Sequence, residues 1–307
     1  MRITLIIIIL AFLACNKPMI KKEKNPYVIV LGVAQDAGYP QAGCNKNCCK
    51  DAWKDHSKRK NVSCIALVDP ISKEQWIFDA TPDVKYQLQL LEKKSGINPL
   101  SGIFITHAHI GHYTGLMQFG REVIGSKRLP VYCMERMENF IKSNAPWDQL
   151  VKIQNINLKL LKNDSTIVLN ERINITPFLV PHRGEYSETV GYKINANKKS
   201  LVFIPDIDKW EQWNTNIIEL IKKVDYAFLD GTFYENGELN RDMSQIPHPF
   251  VKESIELFSK LPLYDKQKVH FIHMNHTNPL LLEGSVAQKE VEQKGFNVAK
   301  EGMIIRF

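Results

Sequence analysis

Short β-branched apolar runs, broken by turn residues, recur along the chain and alternate with stretches of helical periodicity. Tyr27 to Val33 (YVIVLGV) reads as a buried first strand, and the Gly- and Cys-rich stretch after it, to about Asp51, reads as irregular loop. Ser63 to Asp69 and Gln75 to Phe78, separated by Asp69-Pro70-Ile71-Ser72, predict a hairpin. Thr81-Pro82-Asp83 opens a helix towards Lys94, with Pro early and an acid in the first turn. Further strands are predicted at Gly102 to Thr106, Val131-Tyr132, Ile173 to Val180, Val190 to Ile194, Leu201 to Pro205, Tyr226 to Leu229, Val269 to His273 and Met303 to Phe307. Helices are predicted at Trp210 to Lys222, Phe250 to Lys260 and Val286 to Lys294. The mixture indicates an α/β class, with no internal repeat of solenoid type.

The N-terminal MRITLIIIILAFLAC places one Arg before an apolar run from Leu5 to Ala14, too short to span a bilayer stably, and reads as a signal peptide. Its end, Phe12-Leu13-Ala14-Cys15, resembles a bacterial lipobox. That resemblance implies lipidation of Cys15, anchoring to a membrane and a place in the cell envelope, outside the cytoplasm. An ordinary cleaved signal and an uncleaved anchor are the alternatives. Residues 16–26, with Lys17, Lys21, Lys22 and Lys24, read as a polar tether, and residues 27–307 as one catalytic domain. A chain of 307 residues that is 44% hydrophobic suits a single sandwich. Its 40 Lys and Arg against 33 Asp and Glu give +7, with no block of five like charges. That balance gives no support to a nucleic-acid partner and is compatible with a small anionic substrate.

The chemistry concentrates after the strand Gly102 to Thr106, in His107-Ala108-His109-Ile110-Gly111-His112. Imidazoles at i and i+2 leaving a strand end can face one ion, and so dense a cluster has no packing purpose. The segment resembles the His-x-His-x-Asp-His motif of the metallo-β-lactamase superfamily, and further matches follow in order. Asp79, in Ile77-Phe78-Asp79-Ala80, resembles the buried Asp that supports the ligands. His182 resembles the third His ligand, Asp206 the bridging carboxylate and His273 the last His ligand. The resemblance implies a four-layer αββα sandwich and a catalytic zinc on His107, His109 and His182. Gly111 stands where the family carries an Asp, so a second ion on His112, Asp206 and His273 would be one ligand short.

Cys44, Cys48 and Cys49 share one loop, a spacing typical of a structural zinc site that draws a fourth ligand from elsewhere. His276, three residues after His273, is the candidate, and the arrangement resembles the phosphonate-pathway cyclic phosphodiesterases. A Cys44–Cys49 disulfide is the rival reading. Cys64 and Cys133 read as core thiols.

Leu31 to Gln41 (LGVAQDAGYPQ), Leu229 to Phe233 (LDGTF) and Thr277-Asn278-Pro279 resemble the coenzyme PQQ biosynthesis protein B family. Asp230 reads either as a residue on the substrate side or supporting the ligands, or as a turn Asp before Gly231. His248, between Pro247 and Pro249, is placed either to reach the site from a loop or, the favoured reading, to serve as a lid or surface residue.

The resemblances imply a zinc-dependent hydrolase in which water attacks a small ester-type substrate, a cyclic or activated phosphodiester being favoured, with Asp206 and His112 as catalytic residues. The alternatives are a PQQ-B-like non-hydrolytic protein using a redox-active metal, and an envelope-anchored binding lipoprotein without catalysis. Nothing in the sequence indicates an oligomeric state.

Overall fold

The computed structural model describes residues 23–307, so the leader, Cys15 and most of the tether lie outside the described residues. Among the described residues no helix is long and apolar enough to cross a membrane.

Two seven-stranded sheets form the body. The first contains β1 (Tyr27–Gly32), β2 (Cys64–Asp69), β3 (Glu74–Phe78), β4 (Gly102–Phe104), β5 (Leu129–Cys133) and β6 (Ile156–Leu160) in spatial order, with the last strand of the chain on its outer edge. The second runs β7 (Ile167–Asn170), β8 (Ile173–Leu179), β9 (Val190–Ala196), β10 (Lys199–Ile204), β11 (Tyr226–Asp230), β12 (Val269–Ile272) and β13 (Asn297–Val298). That last strand, β14 (Ile304–Arg306), pairs antiparallel with β1. β2 and β3 form the expected antiparallel hairpin, whereas β3, β4, β5 and β6 run parallel.

Every residue of β1 and β2 is buried, because both sheet faces are covered. Alternation divides them between two cores. Val28, Val30, Ile65 and Leu67 face the second sheet with Tyr192, Phe203 and Phe228. Ile29, Leu31, Ala66 and Val68 pack with Val84 and Leu91 of the helix Val84–Ser95. Helices on the outer faces complete the αββα sandwich. Between the sheets Phe78 stacks on Phe104 at 5.0 Å and meets the edge of Tyr192 at 5.3 Å.

Three readings of the sequence are corrected here. The Cys-rich stretch is not all loop, since a helix, α1, occupies Asn47–Lys54 and carries Cys48 and Cys49. The helix predicted to run from Trp210 to Lys222 is broken into Trp210–Gln212 and Ile217–Lys222, because Asn216 caps the second piece by accepting from Ile218 N and Glu219 N. The strands β6 (INLKL) and β7 (IVLN) were not predicted: both are short and largely half-exposed, and the apolar run in β7 is only three residues long. The helix expected after Thr81-Pro82-Asp83 is α2 (Val84–Ser95).

Candidate metal centre

The site lies where the two sheets open at their strand ends. β3 ends at Phe78, and Asp79 follows with φ +73°, a conformation costly for a side-chain-bearing residue and held here by its surroundings. Asp79 is fully buried and its N–H donates to Phe104 O at 2.7 Å. Its Oδ1 accepts from Thr106 N at 2.8 Å and from the Thr106 hydroxyl at 2.9 Å, while Oδ2 accepts from His112 Nδ1 at 2.7 Å. One carboxylate thereby fixes both ends of the histidine loop. The short helix α3 (Ile110–Tyr113) carries His112 back towards Asp79.

The hydrogen-bond network assigns the tautomers. The Thr106 hydroxyl donates to Asp79, so it accepts from His107 Nδ1 at 3.0 Å. His182 Nδ1 donates to Asp208 Oδ1 at 2.9 Å, and His273 Nδ1 lies 3.0 Å from Thr232 Oγ1. His109 Nε2 lies 3.3 Å from Glu185 Oε2. In each ring one nitrogen meets an oxygen, and the other faces its neighbours across the pocket: Nε2 of His107, His112, His182 and His273, and Nδ1 of His109.

These inward atoms converge. His109 Nδ1 is 2.8 Å from His107 Nε2 and 3.3 Å from His182 Nε2, near the about 3.3 Å edge of a tetrahedron drawn by bonds of about 2.0 Å to zinc. His112 Nε2 is 3.3 Å from His273 Nε2. Asp206, buried at the end of β10, stands between the two groups: Oδ2 is 3.3 Å from His107 Nε2 and 3.9 Å from both His112 Nε2 and His273 Nε2, and Oδ1 is 3.3 Å from His182 Nε2. Asp206 Oδ1 is buried without a hydrogen bond among the described residues, an expensive arrangement unless a cation satisfies it.

The field agrees with the geometry. Burial opposes charge on His112, yet Asp79 and then Asp36 push its pKa up to about 10. Burial likewise opposes charge on His182, but Asp206 and Asp208 bring it to about 10. Burial, then His112, holds His107 well below the ordinary imidazole value, and burial lowers His273. The carboxylates thus hold positive charge at the pocket while two of the imidazoles stay neutral.

Cys44, Cys48, Cys49 and His276 form a separate group whose ligand atoms all lie within 4.8 Å of one another. The cysteines are free thiols, so no Cys44–Cys49 disulfide is present. Cys44 Sγ and Cys48 Sγ are 3.7 Å apart, against about 3.8 Å for two thiolates on a tetrahedral zinc. Burial pushes the Cys49 thiol up to about 12, and His276 Nδ1 is buried without a partner among the described residues. Three thiols and an imidazole so placed are a donor set that fits a tetrahedral zinc.

Two residues left open by the sequence, His248 and Asp230, lie at the pocket, and others join them. His248 is not a surface residue: it is buried, with Nδ1 2.8 Å from Asp230 Oδ2 and 3.2 Å from Asp206 Oδ1. Of the two readings of Asp230, support for the pocket fits: it is buried, holds His248 and also accepts from Ile207 N and Thr232 N. Asp208 had no motif, and Thr106 and Thr232 were seen only as members of longer segments, with no role of their own. Asp36, grouped with His112 and His273, had been seen only inside a longer family-like segment.

An αββα sandwich that gathers five inward-facing imidazole nitrogens around one carboxylate defines a protein of the metallo-β-lactamase fold. The chain belongs to the beta-lactamase superfamily, whose domain matches residues 75–274. It is also similar to the coenzyme PQQ synthesis protein B of Nitrosococcus oceani, at 27% identity with 90% of this chain and 98% of that protein covered. The same protein of Gluconobacter oxydans is 25% identical, with 91% and 98% covered. Among solved structures, Zn2+-bound PqqB from Methylobacterium extorquens superposes with a TM-score of 0.77 at 23% identity, over 92% of this chain and 100% of that one. A diphosphatase of the PhnP family gives 0.63 at 21% identity, over 92% and 97%.

Proposed function

We propose that the chain is a zinc-dependent hydrolase of a small ester-type substrate, an activated or cyclic phosphodiester being the favoured class. The carrying observation is the orientation of the five imidazoles, each braced by an oxygen on one nitrogen and turned towards Asp206 with the other. Bound there, zinc supplies Lewis acidity and makes water nucleophilic near neutral pH.

The remaining work falls to side chains. Asp206 orients the attacking water and takes up its proton. His248, held by Asp230 beside Asp206, is placed to return a proton to the leaving oxygen. Cys44, Cys48, Cys49 and His276 hold a structural zinc that pins α1 to the segment after β12. The domain acts in the cell envelope, tethered through lipidated Cys15.

Likeness to PQQ synthesis protein B over 90% of the chain favours a second reading, a non-hydrolytic protein with a redox-active metal on the same ligands. Metal analysis of the purified protein separates the two, followed by turnover of phosphodiester, lactone and thioester substrates. Zinc, with turnover lost in His109→Ala, supports the hydrolase. Iron or copper without hydrolysis sinks it.

A further inference from the structure

Gly111 has no side chain, yet the space its side chain would take is filled. A Cβ at position 111 would lie 2.4 Å from Asp36 Oδ1 and 2.5 Å from Asp36 Cα, so Asp36 and a side chain at 111 exclude each other. The Asp36 carboxylate comes from the loop after β1, a different part of the chain from the histidine motif.

Its placement is built rather than incidental. Gln35 N donates to Met274 O at 2.8 Å, and Met274 N donates to Val33 O at 2.8 Å. Ala34 bridges both Val62 and Met274. The loop after β1 is thereby stitched to the residue that follows His273. From that position Asp36 Oδ1 reaches 3.4 Å from His112 Nε2, with its side chain 22% exposed. One ligand atom each from Asp36, His112 and His273 lie within 4.8 Å of one another.

We infer that Asp36 supplies the carboxylate that Gly111 lacks, completing a second cation site with His112, His273 and the shared Asp206. The inference rests on the metal reading above. It reverses the expectation of a site one ligand short. His107, His109 and His182 would then hold one ion and Asp36, His112 and His273 another, with Asp206 near both sets, and two such ions would supply the charge to stabilise both the attacking and the leaving oxygen of a phosphodiester. The competing explanation is that Asp36 serves only the backbone, since Gly111 N donates to Asp36 Oδ1 at 3.2 Å. Asp36→Asn separates these, because the amide oxygen still accepts from Gly111 while the anionic ligand is gone.

The test compares the purified full chain with Asp36→Asn, Asp36→Ala and His107→Ala/His109→Ala. Each is stripped with chelator and reloaded with zinc, ions per chain are counted by elemental analysis, and affinity is measured by competition with a zinc-binding dye. Circular dichroism and melting report folding; if Asp36→Ala disturbs the loop, Asp36→Asn carries the test. Asp36→Asn is expected to lose one ion per chain, or to bind it at least tenfold more weakly, and to keep the ion that the His107/His109 double variant loses. Retention of every ion within twofold of wild-type affinity overturns the role of Asp36 and leaves the hydrolase reading standing. A wild type whose metal content is untouched by the double His variant overturns both.

Discussion

Asp79 Oδ2 and His112 Nδ1 are 2.7 Å apart, and neither side chain has any exposed surface. The same carboxylate holds Thr106, which in turn braces His107, so Asp79 aligns ligands on both sides of the pocket. Asp79→Asn tests this cleanly, since Asn tolerates the positive φ that Asp79 adopts. It leaves one buried donor without its acceptor. Zinc affinity is expected to fall about 10- to 100-fold, with a stability loss of about 1–3 kcal/mol, read by competition titration and denaturant melts.

Removing His248 is expected to separate chemistry from metal binding. His248→Ala lowers turnover of an activated phosphodiester by about 10²- to 10⁴-fold and leaves zinc content unchanged. Loss of zinc along with turnover would make it a ligand rather than a proton donor. Asp230→Asn, which weakens the hold on His248, gives a smaller loss in the same direction.

Gly111→Ala places a methyl group inside Asp36. The loop after β1 has to retreat, at a cost of about 1–3 kcal/mol, visible as a lower melting temperature. Ala at an exposed helix position would instead stabilise, so the sign itself reports the contact.

The thiol site predicts a linkage. Zinc at a hundred times its Kd adds about 2.7 kcal/mol of stability through Cys44, Cys48, Cys49 and His276. In wild type that increment disappears with chelator. In Cys44→Ala the part owed to this site is already gone, so chelator lowers the melting temperature by less.

Burial pushes Glu301 up to about 7, although Asn61 N–H donates to it and Lys60 lies near. Below the ordinary value of 4.5 both folded and unfolded states carry the proton, and that is where the contribution to stability is whole. As pH rises through about 7 the unfolded state has ionised first, so stability is lost, at most about 3 kcal/mol. Glu301→Gln removes this loss: its melting temperature is expected to exceed wild type at pH 8 and to match it near pH 4. A difference independent of pH would contradict the assignment.

Three of the histidine ligands were legible because each follows an apolar run, and strand ends are where a sheet aims side chains. His107, His182 and His273 could be named that way, and their family-like order named the fold. Asp36 was not legible and His248 only as the less favoured of two readings, for both reach the pocket by tertiary placement alone. Gln35 meets Asn275 across 240 positions, and no local pattern encodes that meeting. The break before Ile217 was hidden for another reason: apolar periodicity continued through it, and only the cap formed by Asn216 shows where one helix stops and the next begins.

The stitching of the loop after β1 to Met274 also sets a timetable. Of the residues around the pocket, Asp36 is among the first to be synthesised and His273 among the last, so the full set exists only once most of the chain has left the ribosome. Long-range pairing of this kind forms slowly, after the local hairpins and helices. Completion of the pocket is therefore a late event in maturation, and a fragment that stops short of β12 would lack His273 and part of the wall around Asp206.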